Sequence, residues 1–189
     1  MKKGFAVLLC VLFIFTFANC GGGSSIDGTI WEGVIMGDYM SITFIGDYCF
    51  FNDGYGVYNE PFTYDKGSGT IGGIHYGFPY TINGNTLTAV IDGFSIPLIK
   101  DTKTKAAPSA IRGIWTGQND WVFAFVNDKV YLIDNDKDED FGIFTFDRNS
   151  GSFISDRYNY NIDFTVSGRT LNATVSSIYF SGNLTFNKQ

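Results

Sequence analysis

Histidine occurs once in these 189 residues, as His75. A Ser-His-Asp or Cys-His arrangement would have to be built around that one ring. It sits in GGIHYGF, between strands, where a surface or turn histidine is the simpler reading. The chain is therefore read as non-enzymatic and without a cofactor. Cysteine is almost as scarce, with Cys10, Cys20 and Cys49 the whole supply. Once the leader described below is set aside, Cys49 stands alone, so no internal disulfide is available and stability must come from packing. Basic residues are few, 13 against 19 acidic ones, for a formal net charge of −6. With no basic stripe to neutralise phosphates, nucleic-acid binding is excluded, and charge-driven binding to an anionic membrane is disfavoured. Helix-favouring runs are scarce too.

What the chain has in quantity is aromatic residues, at 17%, and glycine, at 23 residues. That mixture, rich in β-branched residues, predicts an all-β protein with many tight turns.

The one long apolar run, Phe5 to Phe17, follows Lys2 and Lys3. Thirteen residues of helix rise about 20 Å, short of the ~30 Å hydrocarbon core, so residues 1–19 read as a secretory signal peptide rather than a membrane span. The run closes in FANC followed by GGGSS. This resembles a bacterial lipobox, with Phe17 and Asn19 departing from the usual residues. The resemblance implies cleavage before Cys20, lipidation of its thiol (palmitate-type acyl chains) and a Gly/Ser tether over 20–25. Two or more acyl chains hold a protein stably on a membrane. The expected location is the cell envelope, at an outer membrane or cell surface rather than an inner membrane.

Beyond the tether the chain is written twice. FTYDKGSGTI (62–71) returns as FTFDRNSGSF (144–153), ITFIGDYCFF (42–51) as FAFVNDKVYL (123–132), and YTINGNTLTAVI (80–91) as FTVSGRTLNATV (164–175). IDGTIWEG (26–33) matches IRGIWTG (111–117). The organisation is thus β repeat 1 over 26–100, a linker over 101–110 and β repeat 2 over 111–189. Turn signals recur at close intervals, and Asn83-Gly84, with Ser167-Gly168 in the second copy, marks a hairpin turn. In the strand that follows, Leu87, Ala89 and Ile91 alternate with Thr86 and Thr88, while Leu171, Ala173 and Val175 alternate with Thr170, Asn172 and Thr174. Period two with one apolar and one hydroxyl-rich face predicts strands buried on one side. The expected fold is two tandem antiparallel meanders, each barrel-like, with a single shared barrel or sandwich as the alternative. Pro97 suggests an edge or a bulge in the last strand of the first copy.

The openings GTIWEG and RGIWTG, through Trp31 and Trp115, resemble those of small bacterial lipocalin-like lipoprotein domains. The resemblance implies a barrel-like fold and ligand binding, and makes Trp31 and Trp115 the ligand-binding candidates. The residues alone read more simply as core plugs.

Three further stretches carry candidate chemistry. Asp134, Asp136 and Asp138 in DNDKDEDFG have the spacing of a calcium loop's first ligands, but Glu139 and Thr145 stand where an EF-hand needs Gly and Glu. A solvated acidic loop is the default and a looser calcium site the second reading. Cys49 aligns with Val130 and reads as a small buried hydrophobe. Tyr55, Tyr58, Tyr76, Tyr158 and Tyr160 fall near predicted loops and offer a sugar-stacking surface. GSGTIG (67–72) has the Gly-x-Gly-x-x-Gly form without a following helix, and reads as a turn.

In WVFAFV (121–126) both faces are apolar. The outward set Val122, Ala124 and Val126 predicts coverage, either by repeat 1 or by a protein partner. The functional expectation is a lipid-anchored binding module for a small apolar or sugar ligand or a protein partner. A structural or adhesive surface lipoprotein is the alternative.

Overall fold

Alternating apolar and polar residues, cut by turn residues every five to nine positions, produce strands throughout. The computed structural model describes residues 26–189 apart from 36, 74, 75, 135, 137 and 138. Repeat 1 folds as β1 (Thr29–Ile35), β2 (Asp38–Ile45), β3 (Tyr48–Asn52), β4 (Val57–Glu60), β5 (Ser68–Gly72), β6 (Gly77–Asn83), β7 (Thr86–Ile91) and β8 (Phe94–Lys100). Repeat 2 folds as β9 (Gly113–Gly117), β10 (Val122–Val126), β11 (Lys129–Ile133), β12 (Glu139–Asp147), β13 (Ser150–Ser155), β14 (Asn161–Ser167), β15 (Thr170–Ser176) and β16 (Ser181–Lys188). The second set closes into an eight-stranded antiparallel barrel in which β16 returns to β9. The first makes an eight-stranded sheet in the order β4-β3-β2-β1-β8-β7-β6-β5. The architecture is therefore two tandem barrel-like meanders, as the duplicated pattern predicts, and not one shared barrel.

The difference in closure has a local cause. In repeat 2, β12 runs unbroken and pairs with β11 on one side and β13 on the other. Its Ile143 is matched in repeat 1 by Pro61, which has no N–H to donate to a ladder. There the strand stops at Glu60. Beyond Pro61 the chain rejoins β5 through the isolated bridges Phe62↔Ile71 and Asp65↔Ser68 and through the Thr63 hydroxyl, which accepts from Thr70 N–H at 3.0 Å.

Two turn expectations are refined. The β6–β7 hairpin closes on Asn83↔Thr86, so its central residues are Gly84 and Asn85 rather than Asn83 and Gly84. Only Gly84 has positive φ, at 60°, which is the II′ arrangement with glycine first. Gly168, also at 60°, repeats it between Ser167 and Thr170. Pro97 lies in an interior strand rather than at an edge: β8 pairs with β7 throughout, while its ladder with β1 covers only Trp31↔Lys100 and Glu32↔Ile99 and stops before the proline.

Both interiors are filled. In repeat 2, Trp115, Trp121, Phe123, Phe125, Phe153, Phe164 and Phe186 are buried together, and the Phe123 and Phe186 rings stack at 4.2 Å. Gly151 makes room for this filling, since a Cβ there would stand 2.4 Å from the Phe164 ring. Repeat 1 buries Trp31, Phe44, Phe51, Phe78, Tyr80 and Cys49 in the same way.

A third apolar cluster lies between the repeats. It joins Ile30, Ile45, Phe50 and Val57 of repeat 1 to Ile114, Val122, Ala124, Val126, Tyr131 and Ile133 of repeat 2. Most members are counterparts in the duplication: Ile30 with Ile114, Ile45 with Val126, Phe50 with Tyr131. The same face of each unit meets the other, as in an isologous dimer interface. The corresponding face of β2 is covered as well, although it carries Ser41 and Thr43, both buried. Thr43 Oγ1 reaches the Tyr131 hydroxyl at 2.7 Å. At the rim, Lys129 Nζ donates to Tyr39 Oη at 2.9 Å and pairs with Glu32 Oε2 at 3.3 Å.

The segment 101–110 is tied at both ends. Asp101 N–H donates to the Ile30 carbonyl, its carboxylate accepts from Lys103 and Thr104 N–H, and Ala107 is buried in the repeat-2 core.

Candidate functional site on the outer face of the second barrel

The tryptophans come first. Trp115 is fully buried and its indole N–H donates to the Ile111 carbonyl at 2.7 Å. Repeat 1 has one extra residue at this point, and Thr29 takes it up as a relay: Trp31 N–H donates to Thr29 Oγ1 at 2.9 Å, and Thr29 in turn donates to the Ile26 carbonyl. Each indole is thus a plug whose polar atom is spent inside, and neither lines any of the three surface clefts described below.

The acidic run serves the fold. Asp134 is buried, accepting from the Tyr160 hydroxyl at 2.9 Å and from Asp136 N–H at 2.9 Å. Asp136 is exposed. Asp140, also buried, accepts from Arg157 and Tyr158 N–H at 3.0 and 2.9 Å and pins the turn before β14. Among the described residues no three acidic, histidine or cysteine side chains gather as a metal site. Cys20, His75 and Asp138 lie outside the described residues.

The tyrosines do not act as one stacking platform. Tyr160 is in the core, and Tyr76 donates to Asp53 Oδ2 at 2.5 Å, which together with burial raises its pKa. Tyr55, at 80% exposure, is open to solvent and lines a cleft of about 200 Å³ between the repeats with Tyr39 and Arg157. Cys49 is buried, and desolvation, with the charge of Glu60 beside it, pushes its thiol well above the ordinary value. Val122, Ala124 and Val126 are buried at the inter-repeat interface.

A site that inspection of single strands misses lies on the outer face of β12–β16. Antiparallel register sets Thr145, Ser152, Asp163, Thr174 and Asn183 side by side in one row across five strands. Two residues further along each strand, Asp147, Ser150, Thr165, Asn172 and Thr185 form a second row. Because side chains alternate across a strand, all ten project outward from a core of aromatic rings. Together they line a cleft of about 660 Å³, whose floor lies over Gly151, Ala173 and Leu184. A second cleft of about 520 Å³ adjoins it, sharing Thr145, Ser152 and Asp163. It contains the cross-strand pair Ile143 and Ile154, which are 65% and 61% exposed.

The hydroxyls in these rows hold the amides in place. Thr174 Oγ1 donates to Asn183 Oδ1 at 2.9 Å and Thr185 Oγ1 to Asn172 Oδ1 at 3.0 Å. With each carbonyl oxygen engaged, the two Nδ2 groups are turned out as donors. Asp147 and Asp163 supply acceptors, and no Lys, Arg or His lines the cleft.

Repeat 1 is an internal control. The positions of Asp163, Asn172, Thr174, Asn183 and Thr185 are taken there by Pro79, Thr88, Val90, Ser95 and Pro97. Repeat 1 keeps polar residues at the other positions, with Thr63, Asp65, Ser68, Thr70 and Thr81 matching Thr145, Asp147, Ser150, Ser152 and Thr165. What repeat 2 alone adds is the Asp163 carboxylate and the two asparagine amides with their threonine partners.

No family model matches the sequence, and no curated protein matches it. Among solved structures, the chain is similar to the beta subunit of DNA polymerase III from Thermotoga maritima, at 8% identity and a TM-score of 0.22. The match covers 88% of this chain and 57% of that one, so this chain spans little more than half that protein's length. A likeness this slight bears on neither fold nor function.

Proposed function

We propose that this chain is a lipid-anchored cell-envelope protein, held through Cys20 and the Gly/Ser stretch after it, that acts without catalysis as a binding module. Recognition is assigned to the outer face of the second barrel. The observation that carries this reading is the pair of in-register polar rows over a 660 Å³ cleft, in which repeat 2 places Asp163, Asn172 and Asn183 where repeat 1 has Pro79, Thr88 and Ser95. A wet outer face alone does not call for two amides each oriented by a threonine hydroxyl beside a carboxylate, which is the part of the rows that repeat 1 lacks.

The lipocalin-like resemblance contributes the barrel plan. A ligand carried inside a calyx is disfavoured, since aromatic rings occupy both interiors. The same filling supports a second reading, a structural or adhesive surface lipoprotein without a small ligand.

Native mass spectrometry separates the two. Residues 21–189 incubated with an envelope extract should gain a discrete small mass, and the D163A/N172A variant should lose it. The T88A variant, altered at the position in repeat 1 that matches Asn172, should keep it. A clean apo mass throughout favours the structural reading.

A further inference from the structure

The proposed site offers a particular set of groups, and they restrict what it holds. Asn172 and Asn183 present carboxamide N–H₂ donors whose orientation is set by Thr185 and Thr174. Asp163 stands in the same row as Asn183 and diagonal to Asn172, a separation of about 7–8 Å on an antiparallel sheet for the latter pair. A ligand that both donates to a carboxylate and accepts from an amide, repeatedly and within one molecule, suits this surface. Vicinal hydroxyls do so. A fatty chain does not, because it would strip water from these polar groups and return no hydrogen bonds. An anionic polymer does not either, because the cleft carries two carboxylates and no cation.

The shape narrows the choice again. The rows run across the strands, so their repeat is the strand spacing of ~4.8 Å and five strands span about 19 Å. One pyranose in an extended glycan is close to that spacing in length, so a chain of about four sugars laid across β12–β16 meets a fresh hydroxyl, amide or carboxylate at each unit. Beyond the rows, the exposed Ile143 and Ile154 pair gives an apolar surface for the C–H face of a ring.

We infer that the outer face of the second barrel binds a neutral, linear oligosaccharide across strands β12–β16. The inference rests on the binding reading above and specifies its ligand class. Asp163, Asn172 and Asn183 make the orienting hydrogen bonds, while Thr174 and Thr185 position the amides and need not touch the sugar.

The test is isothermal titration of the mature chain with cellohexaose, chitohexaose, maltohexaose and mannohexaose, with oligogalacturonate as the anionic control. At least one neutral glycan should bind with a Kd between about 1 μM and 1 mM, and oligogalacturonate should bind at least tenfold more weakly. N172A and D163A should each weaken the neutral glycan tenfold or more without moving the melting temperature, and T88A should leave it unchanged. T185V should weaken it less than N172A. Absence of heat with all four neutral glycans overturns the inference, as does binding that N172A and D163A leave intact. If the extract-derived adduct still appears and disappears in D163A/N172A, the binding reading stands and the ligand class is wrong. If neither adduct nor glycan binding is found, both fail.

Discussion

The rings of Phe50 and Tyr131 stack at 4.6 Å with an interplanar angle of 13°, and these two residues occupy the same position in the two repeats. Phe50 faces Thr43 across its hairpin as Tyr131 faces Ala124 across its own. The duplicated unit therefore meets itself, with a polar pair on one side of the contact and its apolar counterparts on the other. A unit of this size without disulfides is marginal alone, and this shared face supplies what each lacks.

If the contact sustains the fold, charge placed in it should be costly. V122D/A124D buries two unpaired carboxylates, a loss of at least about 4 kcal/mol. For a chain of this length that is a fall of roughly 10 °C in melting temperature. Thermal unfolding followed by circular dichroism checks it, and an unchanged midpoint would show the face to be dispensable.

Thr43 and Tyr131 should be energetically coupled. Y131F leaves the buried Thr43 hydroxyl without its partner and should cost about 1–3 kcal/mol. T43V takes the same bond from the Tyr131 hydroxyl, which keeps Ser41 as a second partner, and should cost no more than Y131F. The double variant removes both polar groups, as repeat evolution has done at Phe50 and Ala124, and should recover most of the loss. Urea unfolding of all four proteins measures the cycle, and purely additive losses would refute the coupling.

Stability should fall in alkali. Burial pushes the Tyr131 hydroxyl up to about 12, against the attraction of Lys129. The folded state therefore holds this proton more tightly than the unfolded chain, whose tyrosines titrate near 10. The associated stability is complete below about pH 10 and is lost as the pH rises towards 12. For Lys129, burial works against the charge, but Tyr131, Tyr39 and Glu32 outweigh it and hold the ammonium above its ordinary range. Its contribution is lost in the same direction. Unfolding free energies at pH 8, 10 and 11 should decline, less steeply in Y131F. Tyr80, likewise raised by burial, supplies part of the slope that remains.

Cys49 should resist thiol reagents until the chain unfolds. Its sulfur is fully buried and its thiolate is disfavoured by desolvation. Labelling by 5,5′-dithiobis(2-nitrobenzoate) should follow the unfolding curve in urea, and rapid labelling in buffer would contradict that burial.

The repeats, the strand pattern and the greased face of β10 were legible because each leaves a local mark: period two, or apolar residues on both faces. The cover over β2 was not, since Ser41 and Thr43 look like a wet face until Tyr131 of repeat 2 is seen to reach one of them. The break at Pro61 was also missed, although a proline aligned with Ile143 was a usable sign. The polar rows were half visible, in that Asn172 and Thr174 alternate with core residues along one strand. That five strands set such residues in line depends on register, which pairing and closure decide and no single strand reveals.

The central claim is that recognition is on the outside of the second barrel and not within either one. Nitrogen-15 correlation spectra of residues 21–189 display the Asn side-chain amides and the Trp indoles together. On addition of the neutral hexasaccharides or of envelope extract, the Nδ2 resonances of Asn172 and Asn183 should shift, while the indole resonances of Trp31 and Trp115 stay in place. Indole shifts with the asparagine amides unmoved would place the ligand inside a barrel and contradict the account.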